Sequence, residues 1–389
     1  MKIAFLTPEY PHPKTGSSGG IGTSIKNLAI GLLELGCSVR VLVYGQNEES
    51  VFEDNGILVQ QIRNVKLKGL SWFLTRKKIQ KIINQLYDQN EVDVVEAPDW
   101  TGITSFIQPK KCPIVIRLNG SDTYFCHLDD RPVKWINKFH EKRALNKADA
   151  LLSVSQFTAD LTNQVFGLNK QFTVIPNSID IDSFNVNYNL SDNKAVPPSG
   201  VRGLLYFGSL IRKKGLLELP HIFNEVVKCN PEAQLILVGK DVPDIISGNP
   251  STWQMMKKLF TAEALLNVRY LGSVPYQDIK KQIDLATVCV FPSFAEALPV
   301  SWIEAMALQK AVVASSIGWA SEIISDGQDG YLVNPKDHST YAQKILKLLD
   351  DPNRREEFGI KARNKIVERF SIQVVARQSF NFYNKVLNR

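Results

Sequence analysis

Residues 291–307 read FPSFAEALPVSWIEAMA and hold two carboxylates, Glu296 and Glu304, with seven residues between them, just after an apolar, strand-like run. Paired carboxylates can hydrolyse a sugar linkage, cap a helix, or grip the hydroxyls of a polar ligand. Ser301 and Glu304 in SWIE match a capping box, the serine taking the backbone N–H of residue 304 and the glutamate folding back. On that reading Glu296 is a solvated loop charge. The competing reading is a ligand site: a helix beginning near Pro299 offers the amides of residues 298–301 to a phosphate, and carboxylates beside it accept from sugar hydroxyls.

Two further stretches carry similar chemistry. In YFGSLIRKKG, residues 206–215, a strand ends at Gly208, and Arg212, Lys213 and Lys214 precede a helix, a cationic turn of the kind a diphosphate needs. In TGSSGGIGTSIKNLA, Gly19, Gly20 and Gly22 lie ahead of a helix, so that backbone can approach a ligand. This is not a dinucleotide fingerprint, because the glycines come too long after the first strand and the third glycine of that motif is missing.

The elements that position these residues alternate along the chain. Strand-like runs KIAFLTP, VRVLVYG, ILVQQIR, VDVVEAPD, CPIVIRLNG, ALLSVS and FTVIPNSID are separated by helix-length amphipathic stretches. After FNVNYNLSDNKAVPPSG, the best linker, the alternation restarts with RGLLYFGS, QLILVGKD, VRYLGSV, TVCVFPS, AVVASSIG and GYLVNP. At 389 residues the chain suits two doubly wound α/β domains, expected over 1–190 and 191–370, with a last helix over about 371–389 that is expected to pack back on the first. Ligands of such sheets sit beyond the carboxyl ends of the strands, where each of these motifs falls.

The bulk composition narrows the classes. With 44% hydrophobic and 22% charged residues, and no apolar run of about 18 residues, the chain reads as a soluble globular protein. Five scattered cysteines without C-x-x-C pairing fit a reduced cytosol, and the five histidines lack zinc-ligand spacing, so no metal site is expected. The net charge of +7 favours a polyanionic partner, but no nucleic-acid motif accompanies it. The stretch LSWFLTRKKIQKIINQLY reads first as a domain helix with a solvated basic face and second as a contact for an anionic membrane.

Together the motifs resemble the retaining GT-B glycosyltransferases of family 4 over nearly the whole chain, most specifically from VRYLGSVPYQDI to GYLVNPKD with its E-x7-E pair. The resemblance implies two Rossmann-like domains facing across a cleft and a UDP-sugar as donor substrate, with no further cofactor. It implies that Glu304 holds the ribose diol and that Glu296 accepts from hydroxyls of the transferred sugar. Ala297, Leu298, Pro299, Val300 and Ser301 match the loop that meets sugar and diphosphate, Lys214 the diphosphate lysine, and Gly20 the first-domain glycine loop. Two positions depart from the pattern. Ser209 stands where arginine is usual, with Arg212 a candidate replacement, and Asn119 stands where the family often has histidine. Asparagine cannot titrate, which suits same-face attack in which the leaving diphosphate takes the acceptor proton. Glu296, Lys214 and Asn119 are the expected catalytic residues. Asp99, Asp122 and His127 lie nearby and read as turn or surface residues, and Asp180 and Asp182 in SIDID as turn chemistry rather than a metal pair.

The reading is thus a metal-independent hexosyltransferase of the cytoplasm or inner membrane face. It moves glucose first, from a UDP-sugar, to a hydroxyl of a glycan or lipid-linked glycan in surface polysaccharide synthesis. The alternatives are a GDP-mannose-dependent mannosyltransferase, an epimerase of the same fold, and a non-catalytic basic protein that binds nucleotide sugar or lipid.

Overall fold

The computed structural model describes residues 1–16, 18–184 and 203–388. It divides into two compact units, Met1–Asp180 with Arg369–Arg389, and Ile181–Glu368. The Asn-, Asp- and Pro-rich linker of the sequence lies almost wholly outside the described residues. Among those residues no helix is long and apolar enough to cross a membrane.

The first unit holds an eight-stranded sheet of order β3-β4-β2-β1-β5-β6-β7-β8. Its strands are β1 (Lys2–Thr7), β2 (Ser38–Gln46), β3 (Ser50–Asp54), β4 (Ile57–Arg63), β5 (Val94–Pro98), β6 (Ile114–Leu118), β7 (Ala150–Ser153) and β8 (Thr173–Val174). All neighbours are parallel except β3 and β4, which form an antiparallel hairpin at the edge. Sequence alternation alone passes over β3. Its signal is the turn Asn55-Gly56, where both residues have positive φ, as a two-residue hairpin requires. The run FTVIPNSID yields only the two residues of β8, because Pro176 cannot donate to a ladder.

Both faces of this sheet are covered. Ile3 and Phe5 point into one core with Val39 and Val41, beneath helix α1 (Gly20–Glu34) and the C-terminal helix Ile372–Leu387. Ala4 and Leu6 point into the other, with Ile79 and Ile83 of α2 (Ser71–Asp88). Such two-sided burial leaves every residue of β5 and β6 buried, the charged Glu96 and Arg117 included. The C-terminal helix packs tightly on α1: a Cβ on Gly31 would lie 2.5 Å from Ile372 and 2.6 Å from Ala376. Tyr383 of the same helix donates to Glu96 Oε2 (2.6 Å), and Glu96 pairs with Arg117 (Nε–Oε1 2.7 Å), all three buried. A buried ion pair needs such extra hydrogen bonds to offset its desolvation.

The second unit holds a six-stranded parallel sheet, β11-β10-β9-β12-β13-β14. The strands are β9 (Gly203–Phe207), β10 (Gln234–Val238), β11 (Val268–Tyr270), β12 (Val288–Phe291), β13 (Ala311–Ser315) and β14 (Tyr331–Val333), one for each run read from the sequence. The chain winds outward from β9 to β11 and then returns to β12 on the other side of β9. Strand order therefore reverses between β9 and β12, the switch point where open α/β sheets bind ligands. In the first unit the same reversal falls between β1 and β5.

Candidate functional site

The loops leaving β9 and β12 meet at the second unit's switch point. Residues Arg212–Lys214 form a single 3-10 turn closed by Gly215 in the left-handed region (φ 71°). A Cβ on Gly215 would sit 1.8 Å from the Pro292 carbonyl oxygen, so only glycine lets this turn lie against the end of β12. The amides of Phe294 and Ala295 both donate to the Lys213 carbonyl (2.8 and 3.1 Å), stitching the two loops together. That backbone frame brings Lys214 Nζ to 2.7 Å from Glu296 Oε1, across 82 residues of sequence. Ser293 Oγ donates to the same oxygen at 3.2 Å. Glu296 is 9% exposed, so the solvated-charge reading gives way to a half-sheltered ion pair.

The helix after this loop spans Val300–Ala307 with Pro299 as N-cap and no side-chain cap. Ser301 therefore lies inside the first turn and cannot cap, and Glu304, 6% exposed, sits on the buried side rather than folding back. The capping-box reading is corrected: the proline, with fixed φ and no N–H, ends the extended loop where the serine would otherwise begin the helix. The amides of Val300 and Ser301 have no acceptor within the helix and form the positive end of its dipole. Ala297 and Leu298 are buried in the turn before it.

Arg212, the candidate for the guanidinium missing at Ser209, is paired within the second unit. Its Nε and Nη2 form a two-pronged pair with Asp244 Oδ1 and Oδ2 (2.8 and 2.7 Å), and this guanidinium, with Ser247, holds the Asp244 carboxyl well below the usual range. The fork of Arg212 thus reaches the loop after β10. Ser209 is exposed, and its carbonyl accepts from the buried Tyr206 hydroxyl at 3.0 Å.

In the first unit Gly20 opens α1, preceded by Gly19 without a side-chain cap. Glu9, which sequence spacing did not single out, accepts from the Gly22 amide through Oε1 at 2.9 Å and takes the place of a cap. Asn119 follows β6, with its amide bonded to Asp99 Oδ1 (2.9 Å), and it lines a crevice of about 20 Å³ together with Ser24, Pro98, Asn177 and Ser178. A space of that size holds about one water. Asp99 itself is 2% exposed, which corrects its surface reading. Asp122 is engaged by Arg131 (3.3 Å) and Asn137 (2.9 Å), and His127 is exposed beside a cavity of about 360 Å³ shared with Arg131 and Lys138. Asp180 ends the first unit, and Asp182 lies in the second, near the Arg363 guanidinium.

Family comparison decides what these two sheets are. The model of Glycosyltransferase Family 4 matches residues 18–183, and that of Glycosyl transferases group 1 matches residues 189–365. The chain belongs to the family 4 glycosyltransferases. It is 27% identical to alpha-maltose-1-phosphate synthase of Mycolicibacterium smegmatis, over 99% of this chain and all of the relative. In structure it is similar to sucrose-phosphate synthase from Thermosynechococcus elongatus (TM-score 0.79, 20% identity, 100% of both chains). It is also similar to HepE of Anabaena in complex with UDP-glucose (TM-score 0.73, 20% identity, 99% of this chain and 100% of that one). These likenesses show the GT-B fold, and the family 4 motifs fall on the strand ends just described.

Proposed function

We propose that this glycosyltransferase transfers a hexose, glucose first among the candidates, from a UDP-sugar to a hydroxyl of a glycan or lipid-linked glycan, with retention at the anomeric carbon. The observation that carries the reading is the Lys214–Glu296 pair beside the amides of Val300 and Ser301, at the strand reversal of the second unit. A bound donor substitutes for the internal pair: Lys214 turns to the diphosphate, Glu296 to the sugar hydroxyls, and Glu304 to the ribose diol. The helix amides add to the charge stabilisation as the leaving group forms.

In the reaction the acceptor oxygen bonds to C1 on the face from which the diphosphate departs. The C1–O bond to phosphate breaks, and the acceptor proton passes to the leaving diphosphate. Asn119 holds the sugar by hydrogen bonding and transfers no proton. Lys214 supplies the positive charge that the leaving group needs, so turnover proceeds without added metal. The test is proton NMR of the sugar released from UDP-glucose, in EDTA, before mutarotation. The α-anomer appears first under retention; initial β-anomer, or a requirement for divalent metal, sinks the corresponding part of the proposal.

The acceptor's lipid-linked character rests on the surface of the first unit. Trp135 (76% exposed) and Phe139 lie four residues apart on helix α4 (Trp135–Lys147), with Lys134, Lys138 and Lys142 around them. His140 stands between Phe139 and the half-exposed Trp72 of α2, at ring distances of 5.3 and 5.1 Å. Aromatic tips ringed by lysines suit the interface of an anionic bilayer. Helix α2 contributes less than its sequence suggests, since Arg76 turns inward to the Ile103 carbonyl (3.0 Å). Acting from the cytoplasm, the enzyme then meets its acceptor at the inner face, in surface polysaccharide synthesis. Co-sedimentation with vesicles of anionic lipid at low salt is expected, with at least a fivefold loss in Trp135→Ser/Phe139→Ser. Equal binding by wild type and double variant would remove this surface from the account.

A further inference from the structure

The turn between β6 and helix α3 (Asp122–Leu128) carries Asn119, and two buried carboxylates grip the backbone around it. Asp99, just after β5, accepts through Oδ1 from the amide of Asn119 (2.9 Å). Glu141 of α4, 1% exposed, accepts from the amides of Asp122 (3.0 Å) and Thr123 (3.2 Å). Gly120 has φ 90°, and a Cβ there would meet the Phe125 ring at 2.6 Å, so the turn as it stands requires glycine at this position. Asp99 Oδ2 is buried and has no hydrogen-bond partner among the described residues. An orphaned oxygen on a buried carboxylate calls for an explanation, because burial without a partner disfavours its charge.

We propose that Asp99 is the positioning residue of the Asn119 turn, and that gain or loss of a proton at its orphaned oxygen loosens or tightens the hold on that turn. The inference rests on Asn119 facing the reacting sugar. Burial, and with it the nearby Glu141 charge, pushes the Asp99 carboxyl up to about 7, and burial raises Glu141 as well. The other charged groups around the turn are already engaged. Asp122 on α3 is held by Arg131 and Asn137, Arg117 on β6 turns to Glu96, and Arg76 of α2 reaches the carbonyls of Gly102 and Ile103. On α4, His140 is bonded to Ser105 and pushed down by burial and by Arg76 and Arg143. Above the Asp99 midpoint the carboxylate makes a charge-assisted bond to the Asn119 amide; below it, a neutral acid makes a weaker one. This chain thus carries beneath residue 119 a titrating group that asparagine itself cannot supply.

Hydrogen exchange followed by mass spectrometry over peptides covering 118–124 tests this in the full chain without donor or acceptor. Corrected for intrinsic exchange, protection in the wild type is expected to rise roughly tenfold between pH 6 and 8. In Asp99→Asn it is expected to stay flat at the acid value, and in Glu141→Gln the midpoint moves to lower pH. Nucleotide release from UDP-glucose shares the wild-type midpoint and loses it in Asp99→Asn. A flat wild-type profile, or an unchanged rise in Asp99→Asn, overturns the proposal. If Asp99→Asn does not fold, a Glu141→Gln profile that coincides with the wild type overturns it instead. A negative exchange result leaves the donor-site reading untouched, whereas failure of nucleotide release with a normal exchange profile strikes that reading alone.

Discussion

Lys214→Ala is expected to lower kcat for donor turnover about 100- to 1000-fold, the usual consequence of removing one preorganised charge-stabilising group. The loss falls on kcat more than on KM, because charge on the leaving diphosphate grows toward the transition state and binds Lys214 most strongly there. Stability changes less, by about 1–2 kcal/mol, since Glu296 loses one partner but keeps the Ser293 hydroxyl. Lys214→Met, which keeps the length of the side chain, separates charge from packing. Initial rates of nucleotide release at saturating donor, set beside thermal melting, give both numbers. A tenfold or smaller effect on kcat in both variants would place the stabilising charge elsewhere in the second unit.

Gly215→Ala is expected to damage fold and activity together. The substitution forces a residue with a Cβ into φ 71° and drives that Cβ to within 1.8 Å of a backbone carbonyl oxygen, which cannot rotate away as a side chain could. Left-handed strain alone costs about 1–3 kcal/mol, and the displacement of the 3-10 turn from β12 adds to it. Because Phe294 and Ala295 are bonded to the same turn, Lys214 and Glu296 separate as it moves. The control is Gly327→Ala, at φ 72° with nothing within 4 Å of the new Cβ, which bears the strain without the clash. Gly215→Ala is expected to melt several degrees below Gly327→Ala and to lose most turnover. Equal behaviour of the two variants would show that contact with β12 does not position the lysine.

The parts of this molecule that were legible from sequence are those encoded by local period. Each strand run of the second unit became one strand, because short β-branched runs bounded by glycine and proline have no other regular use in a chain of this type. The edge strand β3 escaped because SVFED, partly exposed at the sheet margin, carries charges where a core strand has valines. The Glu296 and Glu304 spacing was visible, but its capping interpretation was decided by Pro299, whose effect on the helix start depends on how the loop arrives. Pairings between distant residues had no local trace. Arg212 with Asp244, Glu9 with Gly22, and Lys214 with Glu296 are set by which strand ends the topology brings together. Asp99 was underestimated for the same reason, since a carboxylate after APD reads as a turn until β6 and α4 close over it.

The central claim is that the second unit clamps a UDP-sugar through Lys214, Glu296 and Glu304. Its most direct test is nucleotide release from UDP-glucose, other UDP-hexoses and GDP-mannose, without added metal, comparing the wild type with Glu304→Ala. The account predicts UDP release from UDP-glucose by the wild type and at least a tenfold loss of kcat/KM in the variant, as a charge-assisted bond to the ribose diol disappears. Release confined to GDP-mannose, or equal release by wild type and Glu304→Ala, would contradict it.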